Sequence, residues 1–183
     1  MAKKNIKANK TGKELTKTKN YNQIFKIAVI ILIFAFAVLL IINNFFPGKK
    51  SDNEFKFKKD GVLTFLDSTG NTKTKIDIQI ANTDFDRQLG LMFRKSMSEN
   101  QGMLFIFPQE SVQSFWMRNT YISLDMIFVN ADKKIITIHR NTKILSDKSY
   151  QSTGPAKYVI EVDAGFSDKF SIKVGDKVNW VKT

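Results

Sequence analysis

The chain has 183 residues, with 29 Lys and Arg against 17 Asp and Glu, one histidine and no cysteine. Without cysteine there is no disulfide, no thiol lipid anchor and no ordinary zinc site, and a lone histidine excludes multi-histidine zinc centres. The net charge of +12 is concentrated at one end: residues 1–50 hold ten lysines and one glutamate, which leaves +3 on residues 51–183. No basic-aromatic face remains there for a nucleic acid to follow.

Residues 1–26 form a basic tail in which eight lysines face a single acid, Glu14. Sixteen consecutive apolar residues follow, Ile27 to Ile42, inside an uncharged window that ends at Gly48. At about 1.5 Å per helical residue that window reaches roughly 33 Å, enough for a hydrocarbon core of about 30 Å. The sequence therefore predicts a transmembrane signal anchor over 27–46, with the lipid bilayer as its partner. Flanking lysines stay on the cytoplasmic side, so the N-terminus is expected inside and the C-terminal part in the periplasm or outside. Cleavage is disfavoured, because the apolar run is long and bulky Phe46 stands where a small residue is wanted.

Residues 47–60 read as a polar linker and 61–183 as one exported domain. Val62 to Leu66 and the alternating Lys75 to Ile80 make a hairpin around the turn-rich Asp67-Ser68-Thr69-Gly70-Asn71. Thr83 is placed as an N-cap, with Asp84 and Asp86 in the first turn of a helix over 84–93 that buries Phe85, Leu89 and Met92. Met103 to Phe107 reads as a strand stopped by Pro108, followed by strands at Ser114 to Met117, Leu124 to Val129 and Ile135 to His139. A loop over 141–156 leads to Tyr158 to Val162, and Gly175-Asp176 joins a last hairpin of Ser171 to Val174 and Lys177 to Val181. Seven to nine short strands with one or two short helices predict a mainly β domain: a single compact antiparallel barrel or sandwich.

The densest polar-aromatic stretch is Phe115-Trp116-Met117-Arg118-Asn119-Thr120-Tyr121-Ile122-Ser123-Leu124-Asp125. With Arg87-Gln88-Leu89-Gly90-Leu91-Met92-Phe93-Arg94, Gly102 to Phe107, Tyr158 to Gly165 and Gly175 to Val178, it resembles the domain of unknown function 192 family, also called uncharacterised protein family 0127. Ser123 departs from the pattern, which usually has proline there. The resemblance implies a compact β-rich domain, often exported behind a signal or anchor, and brings no established reaction.

Arg87 and Arg94, seven apart on the expected helix, could offer two guanidinium forks to an anion, or could pair with Asp84, Glu161 or a carbonyl to hold the helix on the sheet. Trp116, Arg118, Asn119, Thr120 and Asp125 suit a sugar or polar peptide, and equally suit a structural turn. Asp125 and Glu161, or Asp77, would serve glycoside hydrolysis only if two acids faced each other across a cleft. Met92, Met97, Met103, Met117 and Met126, with His139, lack the short repeated spacing of a copper loop and read as core. No Ser elbow or Gly-rich phosphate loop is present, and nothing in the sequence requires a cofactor or metal. The leading reading is a membrane-anchored extracytoplasmic module that binds an envelope polysaccharide, peptide or partner protein. Its alternatives are an envelope hydrolase using Asp125 and Glu161, and a structural subunit of a membrane complex.

Overall fold

The computed structural model describes residues 24–38, 40 and 56–183. The chain divides into two units, Met1–Asp52 and Asn53–Thr183. In the first, residues 24–38 are helical (α1). The start of the basic tail, the end of the expected span and most of the linker lie outside the described residues. No helix among the described residues is long and apolar enough to cross a membrane.

The second unit contains β1 (Gly61–Leu66), β2 (Thr72–Ala81), α2 (Asp84–Leu89), β3 (Gln101–Phe115), β4 (Leu124–Val129), β5 (Ile135–His139), β6 (Tyr150–Asp163), α3 (Phe166–Lys169) and β7 (Lys177–Lys182). The strands form one seven-stranded sheet in the order β5-β4-β6-β3-β2-β1-β7. It curls into a half-barrel whose two edges meet at one end, where Lys134 bridges Lys177 and the Ile135 amide donates to the Asp176 carbonyl at 2.8 Å. The mainly β expectation holds. All neighbours are antiparallel except β2 and β3, which run parallel because α2 and the segment around it carry the chain across between them.

The first hairpin forms where its turn residues say it should. The Asp67 carboxylate accepts the Thr69 and Asn71 amides, each at 2.9 Å, and Gly70 takes φ 99°. Thr83 caps α2 by accepting the Asp86 amide at 3.1 Å. Five expectations are corrected. The helix ends at Leu89, because Gly90 turns to φ 49°, and it buries no residue: Phe85 is 71% exposed. Pro108 does not stop β3; it sits in a register break between Ile106 and Ser111, where the absence of an N–H costs no ladder bond. Ser114 and Phe115 are thus the end of β3 rather than a strand of their own, and residues 150–156, expected as loop, pair with them as the start of β6. Residues 171–174 form no strand; the chain turns there, and buried Asp176 accepts from Lys73 Nζ and the Lys173 amide.

Successive residues of a strand face opposite sides of the sheet, and the curled sheet buries both. The inner face carries Leu63, Phe65, Ile76, Ile78, Leu104, Ile127, Ile160 and Val162. The other carries Met103, Phe105, Leu124, Met126, Phe128 and Val159, covered by Leu91 and Met117. Met103, Met117 and Met126 are core residues, at most 3% exposed. Gly102 lies where the strands are tightest: a Cβ there would stand 2.8 Å from the Glu161 carbonyl oxygen and 2.9 Å from Ile76 Cδ1. Gly102→Ala is expected to lower the unfolding free energy by about 1–3 kcal/mol, read as a drop in urea midpoint at unchanged slope.

Candidate functional site

The second face of the sheet holds an ionisable group, Glu161, in its middle. Strand register aligns Gln79, Met103, Glu161, Met126 and His139 in a row across β2, β3, β6, β4 and β5. Glu161 therefore lies between two methionines, and it is 4% exposed. Gly90 passes over it so closely that a Cβ there would come within 4.0 Å of Oε2 and 3.2 Å of Phe105 Cζ. No hydrogen bond reaches this carboxyl from the described residues. Burial pushes it up to about 8, and the nearby Arg94 guanidinium only partly opposes that. At neutral pH Glu161 is mostly the uncharged acid.

Arg94 is buried beside it, in the segment after α2. Its Nη2 donates to Gln79 Oε1 at 2.7 Å, while its Nε has no acceptor. Burial pushes the Arg94 guanidinium below its usual range, and a negative charge on Glu161 would oppose that shift. Arg94 and Arg87 do not share a helix face, because the helix ends before Arg94. Arg87 instead donates from Nη1 to the Asn82 and Ile106 carbonyls at 2.7 and 2.8 Å and pairs with Asp84, holding α2 to β3.

Above Glu161 opens a cavity of about 770 Å³. Leu89, Leu91, Met92, Phe105, Phe107 and Phe115 give it apolar walls; Gln88, Gln113, Ser114 and Thr120 add polar groups, and Arg87, Trp116 and Arg118 also line it. Trp116 follows the end of β3 and is 49% exposed. The Arg118 guanidinium carbon lies 4.3 Å from its ring centroid, and Arg118 Nε donates to Asp147 at 2.7 Å. Of the residues singled out in the sequence, Arg87, Trp116, Arg118, Thr120 and Glu161 converge here.

Three do not line the cavity. Arg94 lies behind it. Asn119 takes φ 55° in the turn below the rim, and its carbonyl accepts the Phe93 amide at 2.9 Å. Asp125 is on the opposite face: it pairs with Val162, whereas Glu161 pairs with Met126. Its carboxylate, wholly buried, accepts the Asn141 and Ser167 amides at 2.9 and 2.8 Å and the Gly165 amide at 3.3 Å. It ties β4 to α3. An acid pair of Asp125 and Glu161 across a cleft is therefore not formed, since the sheet itself separates them.

The sequence reading missed the cavity walls. Phe105 and Phe107 alternate with Leu104 and Ile106, which was the available signal. Their continuation to Gln113 and Phe115 was hidden by the break assigned at Pro108. Also missed were the left-handed, non-glycine residues Phe93 (φ 64°), Asn119 and Leu145 (φ 50°), on three loops joined by the Phe93–Asn119 bond and a bond from the Leu145 amide to the Thr120 carbonyl. Such backbone conformations persist only where surrounding contacts fix them.

The DUF192 family model, described as Uncharacterized ACR, matches residues 65–180. The UPF0127 protein of Pyrococcus furiosus is 31% identical over 120 residues, which are 63% of this chain and 96% of that protein. The UPF0127 protein of Pyrococcus abyssi is 28% identical over 126 residues, covering 66% of this chain and 98% of that one. Two crystal structures share the fold. One is a suggested transcription regulator from Sinorhizobium meliloti, with TM-score 0.64, 31% identity and coverage of 68% of this chain and 97% of that chain. The other is a protein of unknown function from Novosphingobium aromaticivorans, with TM-score 0.63, 30% identity and coverage of 73% and 99%. The chain belongs to the DUF192 family. The match begins in β1 and ends in β7, so the family's unit is the curled sheet.

Proposed function

We propose that this DUF192 member is a membrane-anchored, extracytoplasmic binding module whose cavity on the second face of the sheet takes a polar ligand of the cell envelope. The observation that carries this reading is the convergence of Trp116, Arg118, Arg87, Thr120 and Glu161 on one open concavity. Its volume of about 770 Å³ falls within the roughly 300–1,000 Å³ usual for small-ligand sites. Apolar walls with a few convergent polar groups are the general composition of such sites. The anchor is supported by the sixteen-residue apolar run and the lysine-rich tail before it. Apart from Lys26, α1 is apolar all round, which suits lipid better than water.

Residues 53–183 are suited to testing in isolation, because the match to the Pyrococcus furiosus protein leaves only a few per cent of that protein outside the domain. A ligand at a hundred times its Kd stabilises a fold by about 2.7 kcal/mol, so an envelope polysaccharide or peptide is expected to raise Tm by several degrees. Trp116→Ala should weaken that ligand about tenfold or more, the loss of roughly 1.4 kcal/mol of stacking. A broad screen of envelope glycans and peptides that leaves Tm unmoved would contradict the proposal. The hydrolase alternative is not favoured, since its two acids lie on opposite faces. The regulator role suggested for the Sinorhizobium protein is not carried over, because Arg87 and Arg118 are each already paired with an aspartate.

A further inference from the structure

We infer that the cavity recognises the acetamido group of an N-acetylated amino sugar, with the Glu161 carboxyl donating to the amide carbonyl at the floor and Trp116 flanking the sugar ring at the mouth. This deepens the binding reading above and rests on it. Glu161 is 4% exposed, lines the cavity and receives no hydrogen bond from the described residues. Its carboxyl is therefore open to the cavity and free to bond a ligand that reaches it.

The charges around it select among ligands. Arg94 lies close to Glu161, and Arg87 and Arg118 line the same cavity, each paired with an aspartate, Asp84 and Asp147. A cationic amine reaching Glu161 would meet the Arg94 guanidinium. An anionic carboxylate would have to enter apolar walls and abut a second carboxyl. A neutral acceptor meets neither penalty, and a carbonyl accepts from an acid O–H without any change of charge. The walls beside the acid are Leu91, Met92 and Phe105, which suit the acetyl methyl. Gln113 also lines the cavity; its NH₂ bonds Ser111 and Ala156, and its Oε1 can accept from a ring hydroxyl. Trp116 keeps about half its surface exposed even with Arg118 against its ring, and an aromatic face with a polar edge suits an amphipathic sugar.

The test is calorimetry on residues 53–183 with three soluble trisaccharides that differ only at one substituent: an acetamido, a free amino or a hydroxyl group. The acetamido sugar is expected to bind at least tenfold more tightly than the other two. Because ionised Glu161 no longer donates, its affinity should fall by about tenfold per pH unit above pH 8. The Arg94 guanidinium faces Glu161, and His139, beyond Met126 on the same row, is bonded to the Gln151 carbonyl. Glu161→Gln should remove the pH dependence, and Glu161→Leu should bind at least tenfold more weakly at pH 7. Equal binding of all three sugars overturns this inference while leaving the cavity as a binding site, as does a peptide that outcompetes them. Tightest binding of the amino sugar also overturns it, since Glu161 would then be a carboxylate receptor for an ammonium group. If no probe of any class binds in the cavity, the inference and the proposed function fall together.

Discussion

Asp125→Ala is expected to lower the unfolding free energy of the β-rich unit by about 4 kcal/mol or more, a large part of the 5–15 kcal/mol that holds a domain together. Asp125 is fully buried, and its two oxygens take three backbone amides from residues 141, 165 and 167. Truncation leaves all three without acceptors in a place water does not reach, and each buried orphan costs about 1–3 kcal/mol. Asp125→Asn should cost less, roughly 2 kcal/mol, because one oxygen remains while the new NH₂ faces an N–H donor. Urea unfolding of residues 53–183 reads both values. Near-wild-type midpoints for both variants would show that β4 and α3 are held together by something else. A loss of stability in Asp125→Asn also explains why that substitution cannot serve as a test of catalysis.

The stability of the same unit should fall steeply as pH rises. Glu161 has an ordinary value of 4.5 and is raised to about 8 in the fold. Between those values the folded state binds a proton that the unfolded state has released, so unfolding becomes easier with every increment of pH. The contribution is intact below about pH 4.5 and lost as pH passes through 8, and the total is several kcal/mol. Below that window the sign reverses. Asp67, held well under the usual carboxylate range by the Thr69 and Asn71 side chains, loses its bonds on protonation. Stability should therefore peak near pH 5 and decline towards pH 9. Glu161→Gln cannot ionise, and its unfolding free energy should be nearly level from pH 6 to 9, with a clear gain over wild type at pH 9. Parallel wild-type and variant profiles would mean that Glu161 is charged and solvated.

How much of this was legible in the sequence depended on how local the determining contacts are. The β1–β2 hairpin and the Thr83 cap are specified by residues within a few positions of one another, and both form as read. The end of α2 was equally local, but Gly90 was passed over in favour of the spacing of Phe85, Leu89 and Met92. Pro108 and residues 150–156 are different. A proline in a register break and a polar Tyr-Gln-Ser-Thr-Gly-Pro segment become strand only because β3 and β6 find each other across some forty residues. The candidate site divides in the same way. Trp116, Arg118 and Thr120 stand in one short stretch and were picked out together. Asp125 and Glu161 each interrupt an apolar run, Leu124 to Val129 and Tyr158 to Val162, which already implies burial. Which face each occupies depends on the pairing register of β4 with β6, and sequence spacing does not carry that information.

The central claim is that Glu161, lining the cavity beneath Gly90, is the uncharged acid at neutral pH. A ¹³C NMR titration of the Glu161 side-chain carboxyl in residues 53–183, from pH 4 to 10, measures it directly. The account predicts a midpoint near 8, and a midpoint in the usual glutamate range of about 4–5 would contradict it.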